Sequence, residues 1–218
     1  MRRLSFAALL ILIFSTIGYS GRSDAHPVSY KGAWGLMSYN SPDMTEVSLV
    51  HSLSSRLAIG STYLKSSDSE FYLPRVNWLA KRWNNEDSQA NIYLSGGVGA
   101  EVFQANHQTV GMAGIGMDWE SRRYYVLFDH LHLHRDLQRD HRPNYGYMKL
   151  RLGTAPFLAE YDELNVWLIL QGERYFGRGP AGDDVELTQL LRFYVRNTLW
   201  EIGARLNGGW DLNYMVHF

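Results

Sequence analysis

A chain of 218 residues with a formal charge of −1 and no cysteine excludes several classes at once. Near-neutral charge leaves no electrostatic footprint for nucleic acid, the lack of cysteine removes disulfide scaffolds, and the length suits one domain. Aromatic residues at 14% and twenty glycines favour a β-protein with tight turns.

The first segment carries Arg2 and Arg3, then the apolar run from Phe6 to Phe14, then Ser23-Asp24-Ala25. A basic start, a short apolar core and small residues before a cut site read as a secretory signal peptide, 1–25. The run is too short for a spanning helix, which needs roughly 20 apolar residues. Cleavage after Ala25 would start the chain at His26 and, by removing three arginines and one aspartate, leave a formal charge of −3 over 26–218. An exported chain without disulfides must draw its stability from a closed hydrogen-bond network.

From there the pattern has a period of two. A short glycine-rich strand is expected over 30–40, followed by turn chemistry at Ser41-Pro42-Asp43-Met44. Strands over 45–53 and 57–65 are joined by Ser54-Ser55-Arg56, short enough for a hairpin. In the fourth, 70–83, Val76, Trp78 and Ala80 alternate with Arg75, Asn77 and Lys81. Pro74 donates no hydrogen bond there and asks for a bulge. The fifth sets Ile92, Leu94, Val98 and Val102 against Asn91, Ser95, Gly97, Gly99 and Glu101. The sixth sets Ala113, Ile115, Met117 and Trp119 against Gly114, Gly116, Asp118 and Glu120. The seventh, 123–134, ends in Asp129-His130-Leu131-His132-Leu133-His134, and a polar loop, 135–144, follows. The eighth alternates Met148, Leu150 and Leu152 with Lys149 and Arg151; the ninth, 166–176, ends polar with Glu173. The tenth places Val185, Leu187, Leu191, Phe193 and Val195 opposite Glu186, Thr188, Arg192, Tyr194 and Arg196. The eleventh carries Trp200, Ile202, Ala204 and Leu206 against Glu201, Gly203 and Arg205. Asn207-Gly208-Gly209 is a hairpin turn. In the last strand Trp210, Leu212, Tyr214, Val216 and Phe218 share one side, and Asp211, Asn213, Met215 and His217 the other.

About twelve strands, with ten as the lower count, spaced at roughly 10 to 15 residues suit a closed antiparallel up-and-down barrel. The final strand, with Tyr214 and Phe218 as its aromatic pair and Leu212 and Val216 apolar, resembles the closing strand of Gram-negative outer-membrane β-barrels. The resemblance implies an all-β transmembrane barrel in the cell outer membrane. It also implies that Tyr214 and Phe218 form the signal read by the barrel-assembly machinery, and that outer-membrane lipid and lipopolysaccharide surround the wall. A soluble barrel also alternates, with its apolar face inward. Trp78, Trp119, Trp200 and Trp210 near strand ends favour an interfacial belt instead. The polar face then becomes a lumen with Lys149, Arg151, Glu173, Glu186, Arg192, Arg196, Glu201 and Arg205 as its paired charges.

Three imidazoles at i, i+2 and i+4, His130, His132 and His134, share a strand face. Placed in the lumen, they are a candidate site for a divalent transition metal, with His141 in the following loop as a further ligand. Neutral lumen residues bonded to Glu or Tyr fit the same pattern. An inward histidine face also turns Asp129 toward lipid, at a cost. His26, at a newly cut amino terminus, could chelate through amine and ring together, or merely follow the cut site. No nucleophile elbow, phosphate loop or zinc-protease pattern occurs. His51-Ser52 point opposite ways on a strand, and Ser95 meets a histidine only across strands. Non-enzymatic function is therefore expected. The leading expectation is a narrow channel or uptake barrel for ions or small solutes, a transition metal among them. A structural or partner-binding barrel and a lipid deacylase or acyltransferase are the alternatives.

Overall fold

The structure, a computed structural model, describes residues 26–104, 106–135, 142–160, 162–177 and 184–218. The expected signal peptide and the expected ligand His141 lie outside the described residues.

Twelve antiparallel strands form one closed barrel. They are β1 (Trp34–Asn40), β2 (Thr45–Ser52), β3 (Leu57–Lys65), β4 (Ser69–Asn84), β5 (Ser88–Phe103), β6 (Asn106–Ser121), β7 (Tyr124–Arg135), β8 (Tyr145–Thr154), β9 (Asn165–Phe176), β10 (Val185–Val195), β11 (Thr198–Arg205) and β12 (Trp210–His217). Each strand pairs with its sequence neighbours, and β12 returns to β1 through Gly35↔His217 to Asn40↔Leu212. Two bonds between Trp34 and Phe218, N–H to carbonyl in each direction at 2.7 and 2.9 Å, extend that seam to the last residue. With an even count, residues 26–33 and Phe218 share one rim, called here the terminal rim. The connections 41–44, 66–68 and 206–209, and those following β5, β7 and β9, lie at the other, the loop rim.

The wall is apolar outside and polar inside. Leu49, Ile59, Val76, Leu94, Leu150, Leu152, Leu168, Leu170, Leu191, Ile202 and Leu212 are all exposed on the outer face. Glu101, Arg135, Arg151, Gln171, Glu173 and Glu201 are buried within. A soluble barrel would have the reverse arrangement, and so broad an apolar surface has no place in water. Exposed Trp34, Trp83, Trp119 and Tyr124 lie near the terminal rim, and Trp210 near the loop rim, as belts at two interfaces require.

Three local features depart from the simple alternation. The pairing of β4 with β5 shifts between Leu79 and Lys81. One extra residue reverses the faces beyond it. Arg82 turns inward and donates to Asn91 at 2.6 Å, while Lys81 lies outside, 5.6 Å from the Trp83 ring. Pro74 lies inside β4 opposite Ser61, away from that bulge. On its other side stands Gly97, where a Cβ would strike the Pro74 carbonyl, so glycine there lets the two backbones meet. The first strand starts at Trp34, not at residue 30. Residues 26–29 instead turn into the terminal rim, with His26 and Val28 buried.

The third concerns β7. Leu131 and Leu133 are buried in the lumen with Phe71, Leu73, Val110, Met112, Tyr145, Tyr147 and Tyr175. Asp129 also faces inward, accepting from the Tyr147 hydroxyl at 3.1 Å. His130, His132 and His134 therefore face outward, correcting the expectation that they line the lumen. The physical reason is the Asp129 conflict: one register cannot put both the carboxylate and the histidines inside, and an ionised carboxylate in lipid costs more than a neutral imidazole. Spin labels at 131 and 133 should be shielded from a lipid-soluble quencher, while labels at 132 and 134 should be quenched. The reverse pattern would refute this register.

Candidate functional site

The lumen has two unlike walls. Toward the loop rim, the β3–β9 side is filled by the aromatic and aliphatic cluster around Phe71, Leu133, Tyr145 and Tyr175. The β8–β12 side carries a connected chain of charges. It begins at Glu201 (1% exposed), which holds Arg192 at 2.7 Å and Arg151 at 3.1 Å and accepts from Asn213 Nδ2 at 2.8 Å. Arg151 Nε donates to Gln171 at 2.7 Å, and Gln171 Nε2 donates to Asp211 at 3.3 Å. Asp211 in turn holds Arg205 at 2.9 Å. Arg205 reaches Glu186 at 2.6 Å and Asp43 at 3.0 Å near the loop rim. Lys149 pairs with Glu173 at 3.0 Å and lies 5.0 Å from both the Tyr39 and Tyr147 rings.

Seven of the eight expected lumen charges thus face inward as ion-paired members of this wall. The eighth, Arg196, does not. It sits in the two-residue turn between β10 and β11, exposed, with a left-handed backbone at φ 55. The alternation in the sequence runs one residue past the end of β10, where the chain already turns. Alternation also flagged Glu101 as inward without naming its partners. Arg135 grips Glu101 in a fork at 2.7 and 2.8 Å, and Arg142 adds a bond at 3.2 Å. Those contacts join residues 34 and 41 positions apart, which no local pattern signals.

Three cavities follow the charged wall. A narrow void of about 10 Å³ near the loop rim is bordered by Lys149, Glu173, Arg205 and Asp211. A central cavity of about 130 Å³ is bordered by Arg75, Asp118, Tyr125, Arg192 and Glu201. Tyr39, Arg151 and Asn213 border both. A wider recess of about 340 Å³ opens beneath the β8–β9 connection. It shares Glu120, Arg192 and Leu199 with the central cavity. Each neighbouring pair shares three lining residues, so the three follow one another along the lumen.

His26 and Pro27 form part of the central cavity's boundary. His26 Nδ1 is 3.4 Å from the Asp118 carboxylate, its ring lies 5.6 Å from that of Tyr93, and its carbonyl contacts His217 Nε2 at 3.1 Å. Among the described residues no group of three or more His, Asp or Glu side chains is arranged to hold a metal ion. The His130 and His132 ring centroids are 6.4 Å apart on the outer wall. His51 stacks on Trp34 outside the barrel, while the Ser52 hydroxyl accepts from Ser29 N–H inside it, so the two do not form a pair. Tyr214 and Phe218 lie on the outer face, Tyr214 packed on Trp200 at 4.2 Å.

The architecture is that of a Gram-negative outer-membrane barrel. No protein-family model matches the chain, and no curated protein matches it in sequence. Among solved structures, the chain is similar in fold to the KdgM porin in complex with disordered oligogalacturonate, at 9% identity with a TM-score of 0.51, covering 85% of this chain and 99% of that one. A second KdgM porin structure matches at 8% identity with a TM-score of 0.46, over 85% and 99% of the two chains. OccK11 (OpdR) of Pseudomonas aeruginosa matches at 7% identity with a TM-score of 0.45, over 86% and 66%.

Removing Glu201 leaves two buried guanidiniums without their shared carboxylate. The Glu201→Ala barrel, unfolded by urea from detergent micelles, should lose about 3 to 5 kcal/mol. Arg196→Ala, in the exposed turn, should change stability by no more than about 0.5 kcal/mol. Equal effects would show that the network contributes nothing.

Proposed function

We propose that the protein is a narrow outer-membrane channel for ions or small solutes, with the terminal rim in the periplasm and the loop rim outside the cell. The observation that supports this most is the series of three lumen cavities divided by Tyr39, Arg151 and Asn213 at one junction and by Glu120, Arg192 and Leu199 at the other. Side-chain partitions open by rotamer changes on a fast timescale, while the backbone of the barrel stays closed. A void of about 10 Å³ is at the lower limit that holds a single water molecule, about 10 to 15 Å³. The resting passage is therefore tight, and rotation of Tyr39 or Arg151 sets how often a solute crosses. Paired charges line the route, so an entering ion exchanges its hydration for fixed dipoles and not for apolar surface. No general porin is expected from so full a lumen.

In a planar bilayer the purified barrel should conduct in brief, small steps. Tyr39→Ala should raise conductance severalfold by joining the narrow loop-rim void to the central cavity. Silence from both, with the barrel folded as judged by heat-modifiable gel mobility, would favour the partner-binding reading over transport.

Export of residues 26–218 after removal of 1–25 belongs to the same proposal, as does recognition of Tyr214 and Phe218 by the assembly machinery. Deleting Phe218 also removes both seam bonds to Trp34. Export should continue while membrane-integrated protein falls and periplasmic degradation rises. Wild-type insertion of the deletion variant would refute this.

A further inference from the structure

The outward histidines have no role in the channel, and their surroundings single them out. The outer faces of β6 to β10 carry no carboxylate: acids on these strands, Asp118, Glu120, Asp129, Glu173 and Glu186, all stand at inward positions of the alternation. The cation-capable groups there are His107, His130, His132, His134 and Arg174, all in the half of the wall nearer the loop rim. Arg174 is paired with Met148, and Met148 with His130, so the arginine and the histidine stripe lie two strands apart on one row.

Depth along the stripe matters. His134 is ten residues from Tyr124, the outward aromatic at the terminal rim. That is roughly 34 Å of strand, or roughly 25 Å of height at the tilt of membrane barrels, which is the height of their apolar band. His134 therefore reaches the far border of the hydrocarbon, and His132 lies just inside it. His130, the deepest, has its Nδ1 bonded to the Tyr147 carbonyl at 2.9 Å. His132 and His134 have no hydrogen-bond partner among the described residues. Next to them the outer face is small, with Gly111 opposite His134 and Ala113 and Gly146 on either side of His132. A polar side chain at a lipid border without a protein partner calls for one from the membrane.

We propose that His132, His134 and Arg174 bind the phosphate groups of lipopolysaccharide in the outer leaflet. Imidazole N–H and guanidinium groups are phosphate donors, basic clusters at a membrane border attract anionic headgroups, and the small side chains of Gly111, Ala113 and Gly146 beside the imidazoles do not crowd a headgroup. The proposal rests on the reading above only in placing the loop rim outside the cell. The test uses the full-length barrel in detergent, incubated with bisphosphorylated lipid A, monophosphorylated lipid A or phosphatidylglycerol and examined by native mass spectrometry. Bisphosphorylated lipid A should be retained best. The triple variant His132→Gln, His134→Gln, Arg174→Gln should lower its retention by roughly tenfold or more, the equivalent of one lost charge-assisted bond. His134→Gln alone, at the rim and without a hydrogen-bond partner among the described residues, should lower it in part, which guards against a folding defect in the triple variant. Unchanged retention in both variants would overturn the proposal. So would phosphatidylglycerol held as well as lipid A, since any anionic lipid would then suffice. A barrel that conducts but shows no lipid A preference loses the phosphate site alone and leaves the channel reading intact.

Discussion

Everything in this molecule depends on the closure of its backbone hydrogen bonds. A strand edge in hydrocarbon leaves a row of unsatisfied N–H and C=O groups, each costing several kcal/mol, so the sheet must end where it began. The β1–β12 seam does this, from Asn40↔Leu212 down to the reciprocal bonds of Trp34 and Phe218. Closure separates an inner face from an outer one, and the medium on each side decides which face carries the charges. Without disulfides, the ladder and the lumen contacts hold the chain together.

The interior answers a second constraint. A charge taken out of water needs a partner with good geometry. Glu201 serves two arginines, and Glu101 binds Arg135 in a two-pronged fork. Along the β8–β12 wall the Glu201 pairs join through Gln171 and Asp211 into one hydrogen-bonded chain from Arg192 to Arg205. The opposite side of the loop half is packed with aromatic and aliphatic side chains, which leaves the polar wall as the route along which the cavities lie. The outer wall answers the same rule with lipid as solvent: His130, the deepest of the three β7 histidines, is satisfied by the Tyr147 carbonyl.

The sequence alone determined the strand count, most strand bounds within a residue or two, the closed antiparallel barrel and the inward alternation of the charged residues in β8 to β12. These are local or periodic properties. Side chains alternate every residue on a pleated strand, and turns announce themselves by Gly, Pro, Asn and Ser. Such signals fail where the period breaks, as at the Leu79–Lys81 bulge that exchanges the faces of Lys81 and Arg82, and at Arg196, one residue beyond its strand.

Only the tertiary structure decided the rest. The histidine stripe was visible as a stripe, but a period of two does not say which side is the lumen. Packing of Leu131 and Leu133 against Phe71, Tyr145 and Tyr175, with Asp129 beneath Tyr147, turned the imidazoles outward. The burial of His26 beside Asp118, and the fork of Arg135 on Glu101, likewise join residues far apart in the chain. Their contacts exist only once the sheet has closed, because closure is what brings opposite walls within reach of a side chain.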